Sequence, residues 1–165
     1  MIEREGQEPG PIVVRRADGC DVDALLTIEQ QCFNVYYYDY YTLDRRDFEF
    51  YLQDTDGLFL VAARGSQVVG YILGPVDLWR DPPSAHIDSI GVLPEDQNKG
   101  VGSRLLTSFT GEACRQGCTR VTLEVATANE VGLAFFARHG FRKTRWLRDY
   151  YGKGLPALFM VLELW

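Results

Sequence analysis

Glu124 is the residue whose type and position most suggest chemistry, because it stands near the end of the apolar run Val121 to Val125. An ionised carboxylate is costly to bury there without a partner or a task. It is either salt-bridged to one of the arginines, or it faces a cleft and takes a proton from a reacting group, through a water. A second feature is the segment Gln97-Asn98-Lys99-Gly100-Val101-Gly102-Ser103. It lies between an extended run, Ile87 to Leu93, which Pro94 closes, and a helical pattern marked by Val101, Leu105, Leu106 and Phe109. The first amides of such a helix have no internal acceptor, and the helix dipole adds positive potential, so the turn can hold an anion. A side chain at Gly100 or Gly102 would hold a phosphate away from those amides, and Lys99 adds a full charge. No Gly-Lys-Ser/Thr follows, so a P-loop is excluded. Gly102 is not followed three residues later by Gly or Ala, so the dinucleotide fingerprint fails as well.

Other candidates surround these two. His86 and Asp88 alternate on the extended run and share one face of its sheet; His86 is a possible second base near neutral pH or a structural histidine. Asn129 is a good helix N-cap. The segment from Tyr36 to Tyr41 crowds rings and hydroxyls around Asp39; Tyr38 and Tyr40 within it are candidates for a substrate-recognition loop or an aromatic lid. Cys114 and Cys118 are one helical turn apart and are expected in the inner face of their helix. With two histidines and no framework spacing among four cysteines, neither a metal site nor a disulfide set is expected.

The elements that must position these residues follow from the pattern. Residues 1–11 form a polar leader with no secretory signal, and 12–165 a single domain. Ile12 to Val14 begins a strand. Asp18 to Asp23 supplies N-cap chemistry for a helix through Cys32, with Val22, Leu25, Leu26, Ile28, Glu29 and Cys32 along its inner face. Thr42 or Asp44 caps a second helix to about Gln53. Leu58 to Arg64 and Gln67 to Gly74 read as a hairpin turning at Gly65-Ser66. A proline-bearing loop, Asp77 to Ser84, precedes the central strand. Gly117 stops the helix that begins at Gly100. Val121 to Val125 is a strand parallel to the central one, since a helix connects them. Asn129 to Arg138 is a short helix with Val131, Leu133, Ala134, Phe135 and Phe136 on its apolar side. Phe141 to Leu147 and Leu158 to Leu164 are the last strands. The order is βααβββαβαββ, a mixed α/β domain with about seven strands.

This order, with the Gln97-x-x-Gly100-x-Gly102 segment after Ile90-Gly91-Val92, resembles the GNAT acetyltransferase superfamily. The stretches from His86 to Leu106, Thr122 to Phe141 and Arg148 to Leu164 are most similar to the ribosomal-protein-alanine (RimI-like) and protein N-terminal acetyltransferases. The resemblance implies a V-shaped splay between the fourth and fifth strands that holds acetyl-CoA. It implies that Gln97 to Ser103 bind the diphosphate, while Ile90, Gly91, Val92, Asn129 and Phe136 border the pantetheine arm. Glu124 then matches the catalytic base. Phe136 replaces the tyrosine that in the family protonates the leaving thiolate, and a phenyl ring cannot donate a proton. Tyr150 and Tyr151 match the tyrosine pair of the peptide groove and are the candidate substitutes. Asp88, Tyr38 and Tyr40 are the expected substrate contacts.

The implied activity is transfer of an acetyl group to a primary amine, most simply a protein N-terminal amine. A small-molecule amine acetyltransferase and a non-catalytic acyl-CoA-binding module are the alternatives. A formal charge of −6 and a pI near 4.9 argue against a nucleic-acid partner and suit cationic ones. The longest apolar run, Leu58 to Ala63, is too short for a membrane span. The expectation is a cytoplasmic protein, monomeric or homodimeric.

Overall fold

The chain switches between two sheets, and the switch falls inside the stretch that the sequence presents as one central strand. The computed structural model describes residues 10–33 and 42–165. Strands β1 (Ile12–Arg16), β2 (Leu58–Arg64), β3 (Gln67–Gly74) and β6 (Ser89–Val92) form an antiparallel sheet in the order β1-β2-β3-β6. Strands β4 (Val76–Asp77), β5 (Ser84–Ile87), β7 (Arg120–Ala126), β8 (Arg142–Leu147) and β9 (Ala157–Glu163) form a second, in the order β4-β5-β7-β9-β8. Four α-helices lie among the described residues: α1 (Val22–Cys32), α2 (Arg45–Gln53), α3 (Val101–Gln116) and α4 (Glu130–Arg138).

β2 and β3 are buried along nearly their whole length because both faces are covered. On one face Tyr71 meets Phe48 of α2 edge-on at 5.6 Å. On the other, a Cβ at Gly70 would stand 3.2 Å from Leu105 of α3. Two covered faces explain the unbroken apolar text of this hairpin, where a half-exposed pair would alternate. Asp44 begins α2 through a reciprocal capping box with Asp47, so of the two capping candidates it is the aspartate that serves.

β5 runs parallel to β7 only from Ser84 opposite Arg120 to Ile87 opposite Leu123. β6 then pairs with β3, from Ser89 opposite Leu73 to Val92 opposite Gly70. Asp88 is the residue between them. Its amide donates to Leu73 O at 3.0 Å, and the His86 amide to Pro75 O at 3.0 Å, so the chain loops past Gly74. There the backbones nearly touch: a Cβ at Gly74 would lie 1.7 Å from His86 O. Beyond this point β6 and β7 have no ladder between them, and the splay opens.

The expected single strand from Ile87 to Leu93 is therefore two, and with the short β4, which overlaps the start of the stretch read as a loop, the described residues hold nine strands instead of about seven. Two further expectations are corrected. Cys114 is exposed, while Cys118 is buried one residue past Gly117, which ends α3 at φ 100. The helix turns Cys114 outward, and the chain reversal returns Cys118 to the core. Val131, at 83% exposed, is no part of the core, and of the five residues expected on the apolar side of α4 only Phe136 is buried.

Val121, Leu123 and Val125 of β7 and Met160 of β9 belong to the main core with Phe109 of α3 and Phe136 of α4. The alternate residues, Thr122 and Glu124 of β7 with Phe159 and Val161 of β9, point to the other face. Phe159 and Val161 are half-buried and belong to neither buried cluster.

Candidate active site

The splay between β6 and β7 is a cavity of about 610 Å³. Its β6 wall runs from Asp88 to Val92, its β7 wall from Leu123 to Val125, and its floor is the turn before α3 with Gly100, Gly102 and Ser103. In that turn Asn98 (φ 58) and Gly100 (φ 82) are both left-handed, and only the glycine adopts that conformation without strain. The first ladder bond of α3 is donated by Arg104 to Gly100 O at 3.1 Å. The amides of Val101, Gly102 and Ser103 precede it and have no acceptor among the described residues, which leaves them for an anion. Gly102 has a further reason for lacking a side chain: its Cβ would stand 3.4 Å from the Phe135 ring of α4. The Val101 side chain is in the core, so only its backbone faces the turn.

Glu124 is at the other end. One carboxylate oxygen lies 2.8 Å from His86 Nε2, and Asp88 Oδ1 is 3.7 Å from the same nitrogen. His86 Nδ1 is 2.7 Å from Thr122 Oγ1. If the Thr122 hydroxyl donates to Nδ1, a neutral imidazole carries its proton on Nε2 and donates it to Glu124, the tautomer that satisfies both contacts. Neither arginine nor lysine pairs with Glu124 among the described residues, so the salt-bridge alternative gives way to an imidazole partner. Asp88 accepts from Tyr51 OH of α2; burial raises its carboxyl above the usual range, while the Tyr51 and His86 contacts oppose that rise.

A second carboxylate belongs to this site, one that the sequence reading places on an inner helix face and gives no role. Glu29 of α1 is 3% exposed, lines the cavity, accepts from Tyr71 OH and accepts the Leu43 amide at 2.7 Å. Its position on the apolar face of α1, in register with Leu25 and Cys32, is the signal that marks it. Burial raises its carboxyl above the usual range. Between the unfolded and folded values the folded chain binds a proton that the unfolded chain has released, so this contribution favours the fold in acid and declines as pH rises through the folded value. Tyr71→Phe leaves the buried carboxyl short of a donor and is expected to lower unfolding stability by about 1–3 kcal/mol. Urea unfolding midpoints would measure this, and an unchanged midpoint would show the bond to have no net worth. Beside Glu29, the Cys32 thiol donates to Val92 O at 3.0 Å, and burial pushes it up to about 11.

The structure brings together most of the residues singled out from the sequence. Asp88, Ile90, Gly91, Val92, Gln97, Asn98, Asn129 and Phe136 line the cavity with Glu124 and Tyr151. Gly91 relieves crowding and marks no bulge: a Cβ would meet the Tyr71 ring at 3.0 Å, and the β3–β6 register is unbroken. Asn129 caps α4, accepting from the Gly132 amide at 2.9 Å. Lys99 and Tyr150 do not line the cavity. Tyr151 OH donates to Glu124 O at 3.2 Å, and Tyr150 packs edge-on against Tyr151 at 4.8 Å. Tyr38 and Tyr40 lie outside the described residues.

The acetyltransferase (GNAT) family profile matches residues 22–141, and the chain belongs to that family. An uncharacterized N-acetyltransferase of Methanocaldococcus jannaschii is 30% identical over 91% of this chain and 90% of its own. An N-alpha-acetyltransferase of Sulfurisphaera tokodaii is 27% identical over 92% of each. The crystal structure of the ribosomal-protein-S18-alanine N-acetyltransferase from Escherichia coli superposes with a TM-score of 0.79 at 22% identity, over 93% of this chain and 94% of that one. That of Arabidopsis thaliana NAA60, solved in complex with acetyl-CoA, has a TM-score of 0.81 at 16% identity, covering 93% and 99%. The chain is an acetyl-CoA-dependent N-acetyltransferase acting on amines, related to the RimI-like and N-terminal acetyltransferases. No helix among the described residues is long and apolar enough to cross a membrane.

Proposed function

We propose that this enzyme acetylates the α-amine of protein N-termini, with Glu124 as the base. The observation that carries the proposal is the Glu124 carboxylate beside His86 at 2.8 Å, on a sheet face where Phe159 and Val161 of β9 are only half-buried. A face of that kind can seat an extended chain as well as an amine. The relative named as an N-alpha-acetyltransferase supports the same reading.

The residues fit the coenzyme. The free amides of Val101, Gly102 and Ser103, with Gln97, Asn98, Lys99 and Gly100, would hold its diphosphate. The outer edge of β6 from Ile90 to Val92, which no described strand covers and where Val92 O already accepts from Cys32 and from Gln97 Nε2, would pair with its pantetheine amides, while Asn129 and Phe136 border the arm. What the coenzyme supplies is an acyl thioester, whose carbonyl carbon is open to an amine.

The chain must then make the amine neutral and hold it in place. Glu124 takes the amine's proton through a water; His86, with Nε2 2.8 Å from the carboxylate, holds it in place. Asp88 borders the substrate side. A thiol of pKa about 8.5 leaves without a general acid, which answers the absence of a donor at Phe136. Tyr151, whose hydroxyl is given to the Glu124 carbonyl, and Tyr150 serve as groove wall in this reading.

A second reading has one observation in its favour. Glu29, Asp88 and Glu124 put three carboxyls on one cavity, which suits a polyamine. Release of free thiol from acetyl-CoA separates the two. The expected result is turnover with alanine- or serine-starting peptides and little with spermine; the reverse would replace the first reading with the second.

A further inference from the structure

β8 is the outer strand of the second sheet, and it carries an extra residue. Arg142 pairs with Val161 and Lys143 with Met160, but the next pair is Arg145 with Phe159. Thr144 is the unpaired residue of a β-bulge. Without it, strict alternation would put Arg142 and Thr144 on one face, and Lys143 and Arg145 on the other, against the core with Met160. The bulge reverses that parity for Arg145.

The face it reaches is the one that bears Glu124. Residues directly opposite in antiparallel strands share a face, and Phe159 pairs with Glu124 on its other side. Glu124, Phe159 and Arg145 thus form one row across β7, β9 and β8. The Arg145 guanidinium lies over the Phe159 ring at 4.8 Å from its centroid, which fixes it on that face. Arg142 stands on the same face in the neighbouring row, opposite Val161, which pairs in turn with Thr122. No described carboxylate lies within the 4.0 Å ion-pair distance of either arginine. From 142 to 153 the chain carries Arg142, Lys143, Arg145, Arg148 and Lys153 against Asp149 alone, in a protein of net charge −6. A basic strip lies beside the site of an acidic enzyme.

We propose that Arg145, supported by Arg142, selects substrates whose second or third residue is Asp or Glu. The inference rests on the reading that the substrate is a polypeptide N-terminus. Two strand spacings separate the Glu124 and Arg145 backbones, roughly 10 Å, and an extended chain advances about 3.3 Å per residue. A peptide with its amine at Glu124 that crosses the Phe159 row brings its second or third side chain within reach of the guanidinium. The ring beneath holds the group in place and lowers its exposure to water, so the pairing is stronger than a freely moving surface pair.

The test is a peptide set of common length beginning with serine and carrying Asp-Glu, Gln-Gln or Lys-Lys at positions two and three. Its readout is the ratio of kcat/KM between the acidic and neutral members. About fivefold in favour of the acidic peptide is expected, the size of a partly shielded ion pair, with most of the difference in KM and a decline as salt is raised. Arg145→Gln should bring the ratio to near one, Arg145→Lys should keep most of it, and Arg145→Glu should turn the preference toward Lys-Lys. Lys143→Gln removes the same charge from the opposite face and should leave the ratio as it is. Equal turnover of the three peptides, or an equal loss of preference in Lys143→Gln, would overturn the assignment of Arg145 while leaving the polypeptide reading in place. Turnover of small amines with no peptide accepted would overturn both.

Discussion

Glu124→Gln is expected to lower kcat by about 10²–10⁴-fold, the usual worth of a positioned general base, with acetyl-CoA still bound. The substitution isolates one property. Glutamine has nearly the shape of glutamate, and its carbonyl oxygen can accept from His86 Nε2 as the carboxylate does at 2.8 Å, so the local packing should persist. What is lost is the capacity to take a proton. Calorimetric titration with the coenzyme checks that its site is intact, and single-turnover kinetics measure the chemical step. Loss of less than tenfold would move the base elsewhere, and His86, which contacts Glu124 and Thr122, would be the first residue to consider. Loss of coenzyme binding with activity would instead make Glu124 a structural residue of the cleft.

The largest stability effect is expected at Gly74→Ala, far from any reacting atom. The added Cβ would be placed 1.7 Å from His86 O, with His86 C at 2.8 Å and the Asp88 amide nitrogen at 3.1 Å. All three are backbone atoms, so no side chain can swing away. Relief requires β3 to move from β5 at the point where the two sheets meet, and a cost of about 3 kcal/mol or more follows from overpacking without escape. Gly65→Ala is the control. Gly65 sits at φ 59, and a Cβ added there would meet nothing within 4 Å, so its cost is only the left-handed backbone, about 1–2 kcal/mol. Comparable unfolding midpoints for the two variants would mean that the approach at Gly74 is not tight in solution.

The glycine turn, the helix after it and the cap at Asn129 were all legible, because each depends on residues close together in the chain; for Glu124 the strand itself left a salt bridge and a cleft position open, and the family resemblance chose between them. The break at Asp88 was not. His86 to Val92 alternates as one strand would, and the cause of the break is a contact with Gly74, which no local pattern records. The same holds for the bulge at Thr144: a bulge is defined by the register of the partner strand, and RKTRWL alone reads as an even strand. Val131 differs for another reason. An apolar helix face reads as a core face, while the structure gives Val131 to the wall of the cavity. Glu29 is visible as a charge among apolar neighbours, but without the buried hydroxyl of Tyr71 it has no partner that the sequence can name.

Placing a sulfhydryl within a cleft built for thioesters invites a side reaction, since thiol and thioester exchange readily once the sulfur is ionised. Cys32 avoids it. With its proton given to Val92 O and held up to about 11, only roughly one Cys32 in ten thousand is ionised at neutral pH. Cys32 is therefore expected to stay unacylated on incubation with acetyl-CoA alone, which mass measurement of the intact chain would check.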